Sequence, residues 1–144
     1  MTLENLKNHL KANTDIGGGI ALGAIDGNLE RCIGVYPGKP PDKQRICLGG
    51  PDQTLTEELY ATILMHWGKS MAAAMAKAQQ VWQLFYAAGS CTMDGATVYA
   101  VEPGGGPVPV GRDDRGICEF VINLKITVAK EVIPYGKNGR LSRI

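Results

Sequence analysis

The stretch Ile117-Cys118-Glu119-Phe120-Val121-Ile122-Asn123-Leu124-Lys125-Ile126-Thr127-Val128 decides the fold. Cys118, Phe120, Ile122, Leu124, Ile126 and Val128 alternate with Glu119, Val121, Asn123, Lys125 and Thr127. Side chains of a strand point to opposite faces in turn, so this period of two predicts one core face and one wet face. A sheet with one apolar face needs a cover. The sequence supplies one upstream. In Met71–Ala88 the residues Met71, Ala74, Met75, Ala78, Val81, Trp82 and Phe85 trace a stripe at helical spacing, with Ser70 placed to cap and Gly89 to stop. The expected architecture is α+β: an antiparallel sheet with helices packed on it.

The remaining elements follow from shorter signals. Leu3, Leu6 and Leu10 recur at helical spacing behind Thr2 and predict a helix ending near Asn13. Asp15-Ile16-Gly17-Gly18-Gly19 is too glycine-rich for regular structure, and Ile20–Ile25 reads as a strand or a packed loop. Leu29–Tyr36 and Gln44–Leu48 form a hairpin candidate around Pro37–Asp42. Thr54–Glu58 resembles a helix start, but Tyr60–Trp67 favours a strand. That strand puts Tyr60, Thr62, Leu64 and His66 on one face and Ala61, Ile63, Met65 and Trp67 on the other. Asp94-Gly95 is a tight-turn signal before the strand Thr97–Glu102. Pro103–Gly116 reads as a long loop. The expected order is α-β-β-β-α-β-β, as a single domain over 1–133 with a flexible tail over 134–144.

Composition removes several classes of function. The chain has 144 residues, 44% apolar and 20% charged, which suits one domain with an ordinary core. A net charge of +1 offers no global field for DNA or an anionic membrane. No apolar run approaches the roughly 18–20 residues that span a bilayer. The start Met1-Thr2-Leu3-Glu4-Asn5 lacks signal-peptide character, so synthesis in a cytoplasm is expected. Cys32, Cys47, Cys91 and Cys118 are widely spaced and read as small buried apolar residues rather than metal ligands.

Each motif with chemical promise has a plainer reading beside it. Gly68-Lys69-Ser70 follows a strand and opens a helix, the setting of a phosphate-binding P-loop. The full signature needs a glycine where Ile63 stands, so an N-cap turn is expected instead. Gly17-Gly18-Gly19 fails the dinucleotide fingerprint at Leu22 and reads as a connector or a close backbone contact. His66 could act as a base, yet no nucleophile or carboxylate is tied to it by spacing. Asp113-Asp114 could take a metal, but Arg112 and Arg115 offer charge pairing within the loop. Arg31, Lys39, Lys43 and Arg45 gather near the first hairpin with Tyr36 as their one interleaved aromatic, which suits a solvated face as well as a nucleic acid. No catalytic residue, cofactor or metal site is expected.

One feature is unusual for a monomer. Lys77 is the only charge between Met71 and Ala88. The face away from the stripe reads Ala72, Ala73, Ala76, Gln79, Gln80 and Gln83, where a surface helix normally carries Lys and Glu. It suits contact with another subunit, or an alanine-rich solvent face.

Cys32-Ile33-Gly34-Val35-Tyr36-Pro37, Leu48-Gly49-Gly50, the run Ile63–Ser70 entering an alanine-rich helix, and Val110–Leu124 together resemble the minor capsid protein family of tailed bacteriophages. The likeness covers about residues 29–130 and rests on the order and spacing of several pieces. It implies a fold similar to tail-terminator and tail-completion proteins. Such proteins form rings, commonly hexamers, at the head-proximal end of the tail, where they end the tube and meet the head connector. The implied partners are other copies of the chain, the tail tube protein and connector proteins. DNA would pass through the lumen without sequence-specific binding. The implied location is the virion, with assembly in the host bacterial cytoplasm, whether from an active phage or a prophage. Val108, Val110, Arg112, Asp113, Asp114 and Arg115 are the expected partner-binding loop. A neck or head-closure protein of related fold, a nucleotide-binding enzyme using Lys69 and Ser70, and a host adaptor domain are the rival readings.

Overall fold

The computed structural model describes residues 1–41, 48–50, 55–130, 132–135 and 140–143. Along the chain lie α1 (Leu3–Asn13), β1 (Ile20–Leu22), β2 (Arg31–Pro37), β3 (Thr56–Trp67), α2 (Met71–Tyr86), β4 (Cys91–Met93), β5 (Ala96–Glu102), β6 (Val108–Arg112), β7 (Cys118–Ala129), β8 (Val132–Tyr135) and β9 (Arg140–Arg143). β1 to β7 make one sheet ordered β1-β2-β3-β7-β5-β4, and β6 also pairs with β7. Only the β1–β2 pair is parallel among the described strands. The mixed fold with two helices is the one the alternating strand and the amphipathic helix predict.

β3 and β7 pair from Thr56↔Ala129 to His66↔Glu119. That register sets Ala61, Ile63 and Met65 beside Leu124, Ile122 and Phe120 on one face, all buried. Both helices cover this face. Leu6 and Leu10 of α1 join Ala74, Ala78, Val81 and Phe85 of α2 in one core with Ile33, Val35, Ile63, Met65, Ile122 and Ile126. α1 begins as expected, in a capping box where the Thr2 hydroxyl accepts from Asn5 N–H and the Asn5 side chain accepts from Thr2 N–H. Asp94 and Gly95 take φ of +48° and +83° to turn β4 into β5, the left-handed pair a two-residue hairpin needs.

Several expectations change. The Pro103–Gly116 loop contains β6, which pairs with β7 over Val108↔Val121 to Arg112↔Cys118. Pro109 and Gly111 hid it, since both are poor strand residues and the register shifts between them. β2 takes β1 and β3 as neighbours. Residues 44–47 lie outside the described residues, and Leu48 sits in a turn. The buried stripe of α2 is rotated from the expected one. It comprises Ala74, Lys77, Ala78, Val81 and Phe85, while Met71 and Met75 are exposed and Trp82 is half-buried. The helix ends at Tyr86, two residues early, with Gly89 at φ +57° just beyond. From 132 onward β8 and β9 pair with each other in a separate two-stranded sheet. The tail expected over 134–144 falls partly on 136–139 and 144, outside the described residues.

Candidate interaction surface

Lys77 alters the meaning of α2. It is the single charge of the helix, and it is 6% exposed. Nζ donates to Thr14 Oγ1 at 2.8 Å and Gln80 Oε1 at 3.2 Å, and lies 4.6 Å from the centre of the Trp67 ring. Burial pushes its ammonium below the usual lysine range, and the Asp15 charge opposes that shift. The aliphatic stem runs inward while the hydroxyl, the amide and the ring face of Trp67 hold the head group.

With Lys77 withdrawn, no residue of α2 exposes a formal charge. Ala72, Ala76, Gln79, Gln80 and Gln83 are exposed and Ala73 is half-buried. Met71, Met75 and Tyr86 enlarge this face, at 40%, 54% and 62% exposure. Helical spacing predicts both methionines in the core. Their unexpected position makes the outer face more apolar than the sequence suggested. Trp82 closes one side, donating from Nε1 to Gly104 O at 3.3 Å and stacking on Tyr86 with centroids 4.7 Å apart.

The second surface is β6 and the turn into β7. All five residues of β6 are exposed, including Val108 at 50% and Val110 at 58%. Of the charged residues that follow, Arg112, Asp113 and Arg115 are tied to backbone groups of the protein itself. Arg112 Nη1 donates to Lys69 O and Gly116 O, both at 2.9 Å. Asp113 Oδ1 accepts from Arg115 N at 2.9 Å and Ile117 N at 2.8 Å. Arg115 Nη1 reaches Gly27 O at 2.8 Å. Burial draws the Asp113 carboxyl upward, but the Ile117 and Arg115 amides with the His66 and Arg115 charges outweigh it and hold the carboxyl below the usual range. The expected pairing of Asp113-Asp114 with the flanking arginines is replaced by backbone carbonyls as guanidinium acceptors. Val108, Val110 and Asp114 remain turned to solvent.

Two carboxylates that spacing could not reveal meet at His66. Glu119 Oε2 stands 3.1 Å from Nδ1 and Asp113 Oδ2 stands 3.6 Å from Nε2, around a ring only 1% exposed. Glu119 is the cross-strand partner of His66, so the β3–β7 register was the missing information.

The other motifs fall into structural places. Ser70 Oγ accepts from Ala73 N at 3.3 Å as the N-cap of α2, and Lys69 O is held by Arg112. Gly17 and Gly18 make a close backbone approach: a Cβ at Gly17 would stand 2.6 Å from Arg31 O, and Gly18 N donates to that oxygen at 2.7 Å. Cys32 and Cys118 are buried and Cys91 is half-buried, all with free thiols, while Cys47 lies outside the described residues. Burial raises the Cys32 thiol above its usual range, and the Asp26 and Glu119 charges add to it. Arg31 lies over Trp67 and Lys39 is exposed, while Lys43 and Arg45 are outside the described residues. A shallow pocket of about 150 Å³ lies between β1, β2 and the Ile25–Leu29 loop. Among the described residues no helix is long and apolar enough to cross a membrane.

Compared with known proteins, the chain is matched over residues 8–130 by the family model described as "Bacteriophage tail terminator protein". No curated protein and no solved structure matches it.

Proposed function

The chain belongs to the bacteriophage tail terminator family, and from that premise we propose that it closes the growing end of the tail tube as a ring of identical subunits. As a member it is a structural protein of the phage tail, located in the virion and working in contact with other tail and head proteins. Six subunits form the ring at the head–tail junction, after assembly in the bacterial cytoplasm, with the tail tube on one side and the head connector on the other. The DNA passes through the lumen without base-specific contact. No chemical step is assigned to the chain.

The observation that carries this reading is the uncharged outer face of α2. A ring built by rotation needs two different patches on each subunit, each complementary to the other. Ala72, Ala73, Ala76, Gln79, Gln80 and Gln83, widened by Met71, Met75 and Tyr86, supply one patch. Small residues let backbones approach, and the glutamines satisfy hydrogen bonds without the desolvation cost of a charge. Val108, Val110, Arg112, Asp113, Asp114 and Arg115 are assigned to partner recognition. Val108 and Val110 provide apolar contact, and Arg112, Asp113 and Arg115 hold the turn in shape.

Solution mass and electron microscopy test the proposal. The wild-type chain is expected as a ring, alone or on tail tubes. Ala76→Arg is expected to leave a folded monomer with the circular dichroism of the wild type. A wild-type chain that stays monomeric at high concentration and never caps a tube overturns the reading.

A further inference from the structure

His66 is the buried titratable group that assembly leaves without a role. It points from β3 to the sheet face opposite the helices, beside Cys32 of β2 and Glu119 of β7. The Arg112–Ile117 turn brings Asp113 against it. The charged and titratable groups on this side are Glu119 from β7, Asp113, Arg112 and Arg115 from the turn, Cys32 from β2, and Asp26 beside Cys32. The guanidinium contacts of Arg112 and Arg115 go to backbone carbonyls, so the two carboxylates are the groups in contact with the ring.

Nε2 of His66 is buried and has no hydrogen-bond partner. A neutral imidazole carries one N–H, and an ionised carboxylate only accepts, so Glu119 takes the hydrogen at Nδ1. Nε2 then presents a lone pair to Asp113 Oδ2, two acceptors facing each other at a buried ring nitrogen. A proton taken from solvent onto Nε2 turns that contact into N–H⁺ facing O⁻. Its 3.6 Å separation is then free to close toward the roughly 2.7–2.9 Å of a charge-assisted bond. Asp113 transmits the change, because its other oxygen already holds the Arg115 and Ile117 amides.

We propose that His66 is a pH-operated latch on the turn between β6 and β7: a proton on Nε2 draws Asp113 in and stiffens residues 112–117, and its loss loosens them. The latch joins distant elements, since Arg112 in the same turn holds Lys69 O just ahead of α2.

Amide hydrogen exchange of the whole chain, followed by NMR from pH 5 to 8 and corrected for intrinsic exchange, tests this. Protection of the Arg115 and Ile117 amides is expected to fall about tenfold as the pH rises, the scale of one hydrogen bond to a charged group. Protection of Ile63 and Ile122 stays constant. The fall disappears in His66→Gln, and also in Asp113→Asn, which keeps the oxygen that binds the amides and serves if the first variant does not fold. Flat protection in the wild type, or an unchanged fall in a folded variant, overturns the latch. The readout is local to the turn, so it holds in a monomer or a ring and fails separately from the assembly reading.

Discussion

On the helix-covered face of the sheet, β3 and β7 place Ile63, Met65, Ile122, Leu124 and Ile126 against Leu6, Leu10, Val81 and Phe85. On the other face the same two strands set Thr62 against Asn123 at 2.9 Å, Glu58 against Lys125 at 3.4 Å and His66 against Glu119 at 3.1 Å. Glu102 adds a second carboxylate 3.5 Å from Lys125, and Tyr60 donates to Glu58. The first face is stabilised by non-directional burial, which depends on volume and area. The second is stabilised by directional pairs, which depend on register and are individually small. A one-residue slip of either strand would exchange the two faces, so each face fixes the other's alignment.

The comparison sharpens most where a large apolar group is removed. Phe85→Ala, at a side chain with no exposure, is expected to cost about 3–5 kcal/mol in denaturant unfolding. A loss under about 1 kcal/mol would mean that α2 is not the main cover of the sheet. On the other face, a double-mutant cycle of Thr62→Ala with Asn123→Ala should give a coupling of roughly 1 kcal/mol or less. Coupling above about 2 kcal/mol would put the two faces on one energetic scale. Lys125→Ala is expected to cost less than about 1 kcal/mol, and less again in high salt, because Lys125 and Glu102 are partly solvated. A cost that ignores salt would break the assignment to charge pairing.

Acid probes both faces at once. Hydrogen bonds from Asn8 and Asn5 of α1 hold the Asp94 carboxyl below the usual range, and the amides of Ile117 and Arg115 do the same for Asp113 against the pull of burial. A carboxyl depressed in the folded state contributes stability above its unfolded value near about 4, and that contribution is lost as pH falls through the folded value. The expected result is a shallow decline in melting temperature below about pH 4, reduced in Asp94→Asn and in Asp113→Asn. Equal acid sensitivity in all three proteins would show that neither anchor matters.

The sequence revealed whatever is periodic. The strand from Ile117, the helix from Met71, the Thr2 and Ser70 caps and the Asp94-Gly95 turn each declare themselves within a few residues. The outer face of α2 was legible in the same way, as a missing charge. Contacts between distant residues were not. Whether Lys77 faces solvent depends on Thr14 and Trp67, which a helical wheel does not contain. β6 was concealed because pairing with β7 compensates for its proline and glycine. Glu119 lies 53 positions from His66, a distance that only the strand register removes. The rotation of the α2 stripe has the same origin: Met71 and Met75 look like core residues until the packing of the helix on the sheet turns Ala74, Lys77 and Ala78 inward.

The two tryptophans also make the molecule its own optical instrument. Trp67 is 5% exposed, with cationic heads 4.6 and 5.7 Å from its ring centre, whereas Trp82 stacks on a Tyr86 that is 62% exposed. Unfolding carries Trp67 from a dry, cation-flanked site into water, whereas the proposed docking of a subunit on α2 would change the surroundings of Trp82 and leave Trp67 untouched. Intrinsic fluorescence of Trp82→Phe therefore follows folding alone. Subtracting it from the wild-type signal isolates an emission that should vary with protein concentration, giving association a spectroscopic signature without any added label.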